Sequence, residues 1–194
     1  MSASWRTSPP RSERRGDPAS DNVSDSRGEI DLRPAHSDDA GRLFAWANDP
    51  ATRAASFDRE PIPWQAHVSW LAAVLGDQDR RLWIAEEAGV PVGQLRFDRT
   101  PDGIGVVSIG LAPGVRRRGL GRTVLRMGLA AAVRELGIRR ARAVVLPTNL
   151  PSRRLFEGAG FVTVAGAGLP GHPSALVLEV DVATGFPAEP EPSR

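Results

Sequence analysis

The segment that decides the fold runs from Val107 to Arg122 and reads V-S-I-G-L-A-P-G-V-R-R-R-G-L-G-R. It begins as a predicted strand, passes through a turn that contains Pro113, and continues into a second turn of arginines and glycines. After Gly121, apolar residues recur at helical spacing until Gly137, which predicts a long helix that ends at that glycine. A strand, a tight turn and a helix therefore follow one another directly.

In physical terms this arrangement is an anion-binding site. The first N–H groups of a helix have no partners within the helix and lie at its positive end, so they can bind a phosphate. We expect Gly119 and Gly121 to let the backbone approach the anion, because a Cβ at these positions would stand in the way. Although a run of arginines is commonly a solvated face, this one lies where it can contact phosphate oxygens with bidentate geometry. The segment predicts a diphosphate-binding turn.

The composition limits the classes of protein that remain. With 194 residues, of which 41% are hydrophobic, the chain can fill one core, so a single domain is expected. The chain has no cysteine, which excludes disulfides, thiolate metal sites and a cysteine nucleophile. The net charge of +2 gives no argument for nucleic acid, and no apolar run is long enough for a membrane span or a signal peptide. We expect a cytoplasmic protein.

Hydrophobic patterning places the elements between two polar ends. Residues 1–28 and 184–194 are rich in proline, serine and charge and are predicted to be disordered tails, which leaves 29–183 as the domain. Four helices are expected: one after the cap Ser37-Asp38-Asp39, one over about Pro63–Leu75, one after Gly121, and one over Pro151–Glu157. Strands are predicted at Ile30–Leu32, Arg81–Glu86, Val92–Asp98, Ile104–Leu111, Ala141–Leu146, Phe161–Val164 and Ala175–Val182. The mixed order predicts an α+β domain.

Two motifs together resemble those of a known family. Arg116-x-x-Gly119-x-Gly121 is similar to the signature of the GNAT superfamily of acetyltransferases, which is Arg or Gln, two residues, Gly, one residue, then Gly or Ala. Alone this pattern is weak, because other nucleotide binders use glycine-rich turns, but their P-loop and Rossmann features are missing here. Downstream, Asn149 to Phe161 resembles the Asn-x-x-Ser, aromatic and Gly-Phe segment of the same family.

The resemblance implies an N-acetyltransferase that uses acetyl-CoA as cosubstrate and needs no metal. It implies a GNAT-like domain with a mostly antiparallel central sheet of six to seven strands, flanked by about four helices. In the family the pyrophosphate sits on the turn, the pantetheine arm pairs with the preceding strand, and the Asn contacts the cofactor. Cofactor contact is thereby assigned to Ile109, Gly110, Leu111, Arg116, Arg117, Arg118, Gly119, Leu120, Gly121, Arg122, Asn149, Ser152 and Phe156.

The catalytic machinery departs from that of many relatives. Phe156 occupies the position where some members place a tyrosine that protonates the leaving thiolate, and the chain has no tyrosine at all. Val144 occupies the strand position where some members place a glutamate. We therefore expect direct transfer by positioning, with the N–H of Leu111 polarising the thioester carbonyl and with water or His67 taking the proton. A structural role for His67 is an equally open alternative.

The N-terminal half gives an indication of the acceptor. Trp46 to Arg53 and Pro63 to Leu71 resemble the GNAT subgroup that acetylates 4-amino sugar nucleotides, and more distantly the ribosomal-protein acetyltransferases. This likeness implies acceptor contacts for Asn48, Arg53, Trp64 and His67. Tryptophans at helical spacing are also typical of a core, and Asn48-Asp49-Pro50 is equally consistent with the end of a helix.

Other functions remain open at the level of sequence. A peptide N-terminal amine or an aminoglycoside-like molecule is an alternative acceptor, and a non-catalytic acetyl-CoA-binding module is an alternative class. An arginine-rich nucleic-acid binder ranks last, because no nucleic-acid-binding motif accompanies the arginines. We expect a small-molecule amine as partner, possible acceptors including a nucleotide sugar, no nucleic acid or membrane, and a monomer or homodimer.

Overall fold

A seven-stranded sheet in the order β1-β2-β3-β4-β5-β7-β6 forms the centre of the computed structural model, which describes residues 28–165 and 172–183. Apart from Gly28, the predicted tails lie outside the described residues. All neighbouring strands are antiparallel except β4 and β5, so the predicted α+β, mostly antiparallel fold is confirmed. The strands are β1 (Ile30–Pro34), β2 (Arg80–Glu87), β3 (Val90–Arg99), β4 (Ile104–Leu111), β5 (Arg140–Val145), β6 (Val162–Thr163) and β7 (Leu176–Asp181).

The helices include one that the sequence reading did not predict. They are α1 (Ala40–Ala47), α2 (Pro50–Ala54), α3 (Trp64–Leu75), α4 (Leu120–Leu136) and α5 (Leu150–Gly158). The unpredicted helix is α2; the alternative that Asn48-Asp49-Pro50 ends α1 is confirmed, since α1 ends at Ala47, but a second helix begins immediately afterwards. Asp49 caps α2 by accepting a 3.0 Å hydrogen bond from the N–H of Thr52, and Pro50 takes the first helical position. Both signals are visible in the sequence, as aspartate followed by proline.

The sheet separates two clusters of buried side chains. Alternation along β2 sends Trp83 and Ala85 into the larger cluster beneath α4, while Leu82 and Ile84 join Leu71 and other residues of α1 and α3 on the opposite face. The helix α5 also packs on the α4 face, because its Phe156 belongs to the larger cluster. Neither α4 nor α5 therefore covers the opposite face of β3, β4 and β5.

Candidate functional site

The parallel ladder between β4 and β5 ends before β4 does. Its register joins Ile104–Val107 to Arg140–Ala143, while β4 continues to Leu111. The N–H of Ala112 donates to the Val92 carbonyl at 2.9 Å, so the even-numbered residues of β4 hydrogen-bond to β3 and the odd-numbered residues direct their backbone groups toward β5. Beyond Val107, Ile109 and Leu111 therefore present backbone N–H and C=O groups to a gap between diverging strands.

The turn between this gap and α4 contains two left-handed residues. Arg117 has φ 68° and Gly119 has φ 82°. Gly119 is the N-cap of α4 and no side chain caps this end of the helix. Since α4 is 17 residues long, its first N–H groups form a strong and uncapped anion-binding end beside the gap.

The two glycines of the turn have different protein surroundings, and their predicted role in letting an anion approach remains a prediction. A Cβ at Gly119 would meet no protein atom within 4 Å, so within the protein itself it is the positive φ that favours glycine there. A Cβ at Gly121 would lie 3.4 Å from Leu155 Cδ1 and 3.8 Å from Leu111 Cδ1. Gly121 is buried beside α5, and a Cβ there would make ordinary van der Waals contacts with these leucines.

The arginines of the turn divide into two groups. The guanidinium of Arg116 bonds through all three nitrogens to other parts of the protein: Nη1 to Asp49 Oδ2 at 2.7 Å, Nη2 to Thr52 Oγ1 at 2.8 Å, and Nε to the Leu111 carbonyl at 3.1 Å. Arg118 Nη2 contacts Glu87 Oε1 at 2.8 Å. Arg117 and Arg122 form no ion pair with any residue that the structure describes, so their charges are free to bind phosphate.

The downstream motif lies at the start of α5, next to the end of β5. The Asn149 side chain accepts a hydrogen bond from the N–H of Ser152 at 3.2 Å, which caps α5, and its Nδ2 donates to the Ala55 carbonyl at 3.4 Å. Phe156 is buried, with its ring centroid 5.0 Å from that of Phe161. Contacts of Asn149, Ser152 and Phe156 with the cofactor remain predictions.

Two of the predicted acceptor residues hold their own loop together. Asn48 Nδ2 donates to the Ile62 carbonyl at 3.1 Å, and Asn48 Oδ1 accepts from the Ile62 N–H at 2.8 Å. Arg53 Nε donates to the Ala47 carbonyl at 2.7 Å, and its Nη2 donates to Ser56 Oγ at 3.1 Å. Both side chains fix the path of the chain from α1 to α3, which favours a supporting role for them.

The other two predicted acceptor residues belong to α3. Trp64 is 43% exposed and packs edge to face against Phe44, with ring centroids 5.1 Å apart. His67 is only 2% exposed, and its Nε2 lies 3.0 Å from the Ala40 carbonyl. Burial lowers the pKa of His67 below its ordinary value, and the contact with the Ala40 carbonyl partly opposes this shift. The ring is enclosed between α1 and α3, out of reach of solvent, which favours the structural alternative over the role of base.

Two residues of the site were missed by the sequence reading. Asp49 and Thr52 bind Arg116 from a distance of more than 60 positions in the chain, at separations of 67 and 64 residues. In the sequence, the spacing of three residues between Asp49 and Thr52 at a helix start indicates a helix cap. It does not indicate that either residue contacts Arg116. Within residues 28–165 and 172–183, no group of three or more His, Asp and Glu side chains is placed to hold a metal ion. None of the helices in these ranges combines the length and the apolar character of a membrane span.

This geometry agrees with the comparison to known families. The sequence profile described as an acetyltransferase (GNAT) domain matches residues 29–162. The chain belongs to the GNAT acetyltransferase family. The predicted enzyme class, an acetyl-CoA-dependent N-acetyltransferase, and the predicted cosubstrate, acetyl-CoA, follow from that membership. The uncapped end of α4, the free Arg117 and Arg122, and the backbone groups of Ile109 and Leu111 fit a diphosphate that carries an amide-containing arm.

Solved structures share the GNAT fold at low identity. A domain from Methanocaldococcus jannaschii has a TM-score of 0.69 at 22% identity, over 80% of this chain and 99% of that one. An aminoglycoside acetyltransferase in complex with coenzyme A has a TM-score of 0.69 at 20% identity, over 79% and 95% of the two chains. Spermidine N-acetyltransferase from Vibrio cholerae, with CoA and spermine, has a TM-score of 0.68 at 17% identity, over 78% and 95%. No curated protein sequence matches the chain.

Proposed function

We propose that this GNAT protein transfers the acetyl group of acetyl-CoA to the primary amine of a small molecule, with a 4-amino sugar nucleotide as the favoured acceptor. The observation that carries the proposal is the gap between β4 and β5, lined by the backbone groups of Ile109 and the N–H of Leu111 and adjoining the uncapped end of α4. A pyrophosphate on the helix end and an arm in the gap place the thioester beside Leu111. The acceptor is supported by the resemblance of Trp46 to Arg53 and of Pro63 to Leu71, given above.

Residues of the turn and of β4 bind different parts of the donor. Arg117, Arg122 and the first N–H groups of α4 hold the diphosphate, because they are the uncommitted donors and charges there. The backbone N–H and C=O of Ile109 pair with the amides of the arm as a strand would. The Leu111 carbonyl is already bonded to Arg116, so the Leu111 N–H is the group left to polarise the thioester carbonyl.

Proton transfer falls to solvent, because the chain has no tyrosine and Phe156 is buried in the core. The neutral amine attacks the thioester carbon, the C–S bond breaks, water takes the proton lost by the amine, and the thiolate receives a proton from solvent. Holding the two reactants in attack geometry is worth up to about 7–11 kcal/mol, so positioning alone gives a large acceleration. The rate is then expected to rise with pH until the acceptor amine is fully deprotonated.

The sheet face away from α4 supports a sugar acceptor. Register places Arg96 opposite Ser108 on this face, one position from Ile109. Arg96 pairs with Asp98 at 3.0 Å, and Arg142 pairs with Glu179 at 2.6 Å. Arg140 shares Glu179 and Arg80 shares Asp98, so arginines outnumber carboxylates in these pairs. The face is therefore polar without an excess of negative charge, which suits a hydroxyl-rich sugar better than a polycation.

Thiol release and mass spectrometry test the proposal together. The protein is incubated with acetyl-CoA and with separate panels of amino-sugar nucleotides, aminoglycosides, polyamines and peptides with free N-termini. Since the chain has no cysteine, a thiol reagent reports coenzyme A release without background from the protein. We expect acetylation of the amino-sugar nucleotides. Acetylation of peptides alone would replace the proposed acceptor, and binding of coenzyme A without thiol release in any panel would favour the non-catalytic module.

A further inference from the structure

The segment Asp49–Ala55, here called the strap, is joined to both sides of the gap. On the β4 side, Arg116 bonds to Asp49 and Thr52 at 2.7 and 2.8 Å. On the β5 side, Asn149 Nδ2 donates to the Ala55 carbonyl at 3.4 Å. Since β4 and β5 are the strands that diverge, a segment tied to the residues after each of them crosses the opening between their ends.

The connection on the β4 side is a closed network. The Asp49 carboxylate accepts from Arg116 Nη1, from the Thr52 N–H at 3.0 Å and from Thr52 Oγ1 at 3.1 Å. The Thr52 hydroxyl in turn accepts from Arg116 Nη2. The hydrogen bond from Arg116 lowers the pKa of Asp49, so the carboxylate is charged at neutral pH. Three of the five N–H groups of the Arg116 guanidinium, one on each nitrogen, already have protein partners, which orients the side chain toward the strap.

We infer that Asp49 and Thr52 are positioning residues, which hold the strap through Arg116 so that it forms a wall over the arm of the acetyl donor. The inference rests on the proposed function, because that is what places the arm in the gap. It changes the role predicted for Arg116, whose side chain becomes a structural tie and not a phosphate ligand. Arg117 and Arg122 remain as the phosphate-binding arginines.

A structural tie and a phosphate ligand affect ligand binding differently. A wall over the arm contributes to affinity only for a ligand that has the arm, because it reduces the freedom of the arm and excludes water from it. Breaking the network between Arg116 and the strap therefore weakens coenzyme A and leaves a ligand without the arm unaffected. A phosphate ligand behaves differently, since its removal weakens both.

Calorimetric titration of the full chain with two probes tests the inference. The probes are coenzyme A and its nucleotide fragment, which keeps the diphosphate but lacks the pantetheine arm. Asp49→Asn, Arg116→Gln and Thr52→Val are each expected to weaken coenzyme A about tenfold and to change the affinity for the fragment by less than about twofold. Thr52→Ser keeps the hydroxyl and should bind both probes as the unmodified protein does.

The outcomes separate this inference from the proposal beneath it. If Arg116→Gln weakens both probes while Asp49→Asn weakens neither, Arg116 is a phosphate ligand and the inference is overturned. If all four variants bind coenzyme A as tightly as the unmodified protein does, the inference is overturned as well. If the unmodified protein binds neither probe, the donor placement fails first and this inference fails with it. Circular dichroism checks the folding of each variant. If Asp49→Asn and Arg116→Gln unfold, the comparison of Thr52→Val with Thr52→Ser still tests the inference, because these two substitutions change only one half-buried side chain.

Discussion

Gly128 of α4 lies directly against Leu95 of β3, so closely that a Cβ on Gly128 would overlap the Cδ2 atom of Leu95. Leu95 is fully buried in the larger core cluster, so it has little room to move. The contact sets how near α4 lies to the sheet, and thereby where its amino end stands relative to the gap between β4 and β5.

Gly128→Ala is expected to lower the free energy of unfolding by about 1–3 kcal/mol, because the added methyl group overpacks the core. Urea unfolding followed by circular dichroism measures the change. Gly41→Ala is the matched control, since Gly41 lies exposed in α1 with nothing within 4 Å of an added Cβ. That control should raise stability by up to about 1 kcal/mol. Equal effects of the two substitutions would contradict the packing described here.

Gly119→Ala is expected to destabilise the protein by about 1–2 kcal/mol, because a Cβ is strained at φ 82° even where space is free. Gly119→Asn should cost less, since asparagine tolerates the left-handed region better than alanine does. Thermal unfolding of the two variants compares them directly. If alanine and asparagine cost the same, steric crowding and not backbone conformation explains the glycine.

Arg117→Gln and Arg122→Gln are each expected to weaken coenzyme A about tenfold, because each removes a charged hydrogen bond to the diphosphate. The loss should shrink at high salt, where the unmodified site is screened. Arg139→Gln, an exposed arginine after the far end of α4, serves as the control and should bind normally. Calorimetry at two ionic strengths provides the measurement, and an unchanged affinity in both turn variants would remove these arginines from the site.

His67→Gln is expected to change stability and its pH dependence more than it changes catalysis. The pKa of His67 is lowered in the folded protein, so the unfolded chain binds more protons as the pH falls through the ordinary value of 6.5. The stability due to the neutral histidine is thus complete above that pH and is lost as the pH falls toward the lowered pKa. Unfolding between pH 7 and about 5 should show a smaller slope in the variant. A large shift in the pH profile of turnover, with stability unchanged, would restore His67 as the base.

Much of the fold could be predicted because its signals are local. Alternation and turn residues predicted all seven strands, and Gly137, with φ 63°, ends α4 where the pattern ended. The predicted cap Ser37-Asp38-Asp39 differs slightly from the structure, because these residues form a 3-10 turn and α1 begins after them, at Ala40. The short helix α2 was missed although Asp49 and Pro50 signal it, because aspartate before proline also commonly ends a helix.

The sequence by itself determined the strand, turn and helix of the proposed donor site, because backbone conformation and unpaired helix N–H groups depend mainly on neighbouring residues. Only the tertiary structure decided what the side chains of that site do. The partner of Arg116 lies 67 residues away, His67 is enclosed by two helices, and Gly121 meets a leucine of α5. Such roles depend on which distant segments the packed core brings together, and no local pattern contains that information.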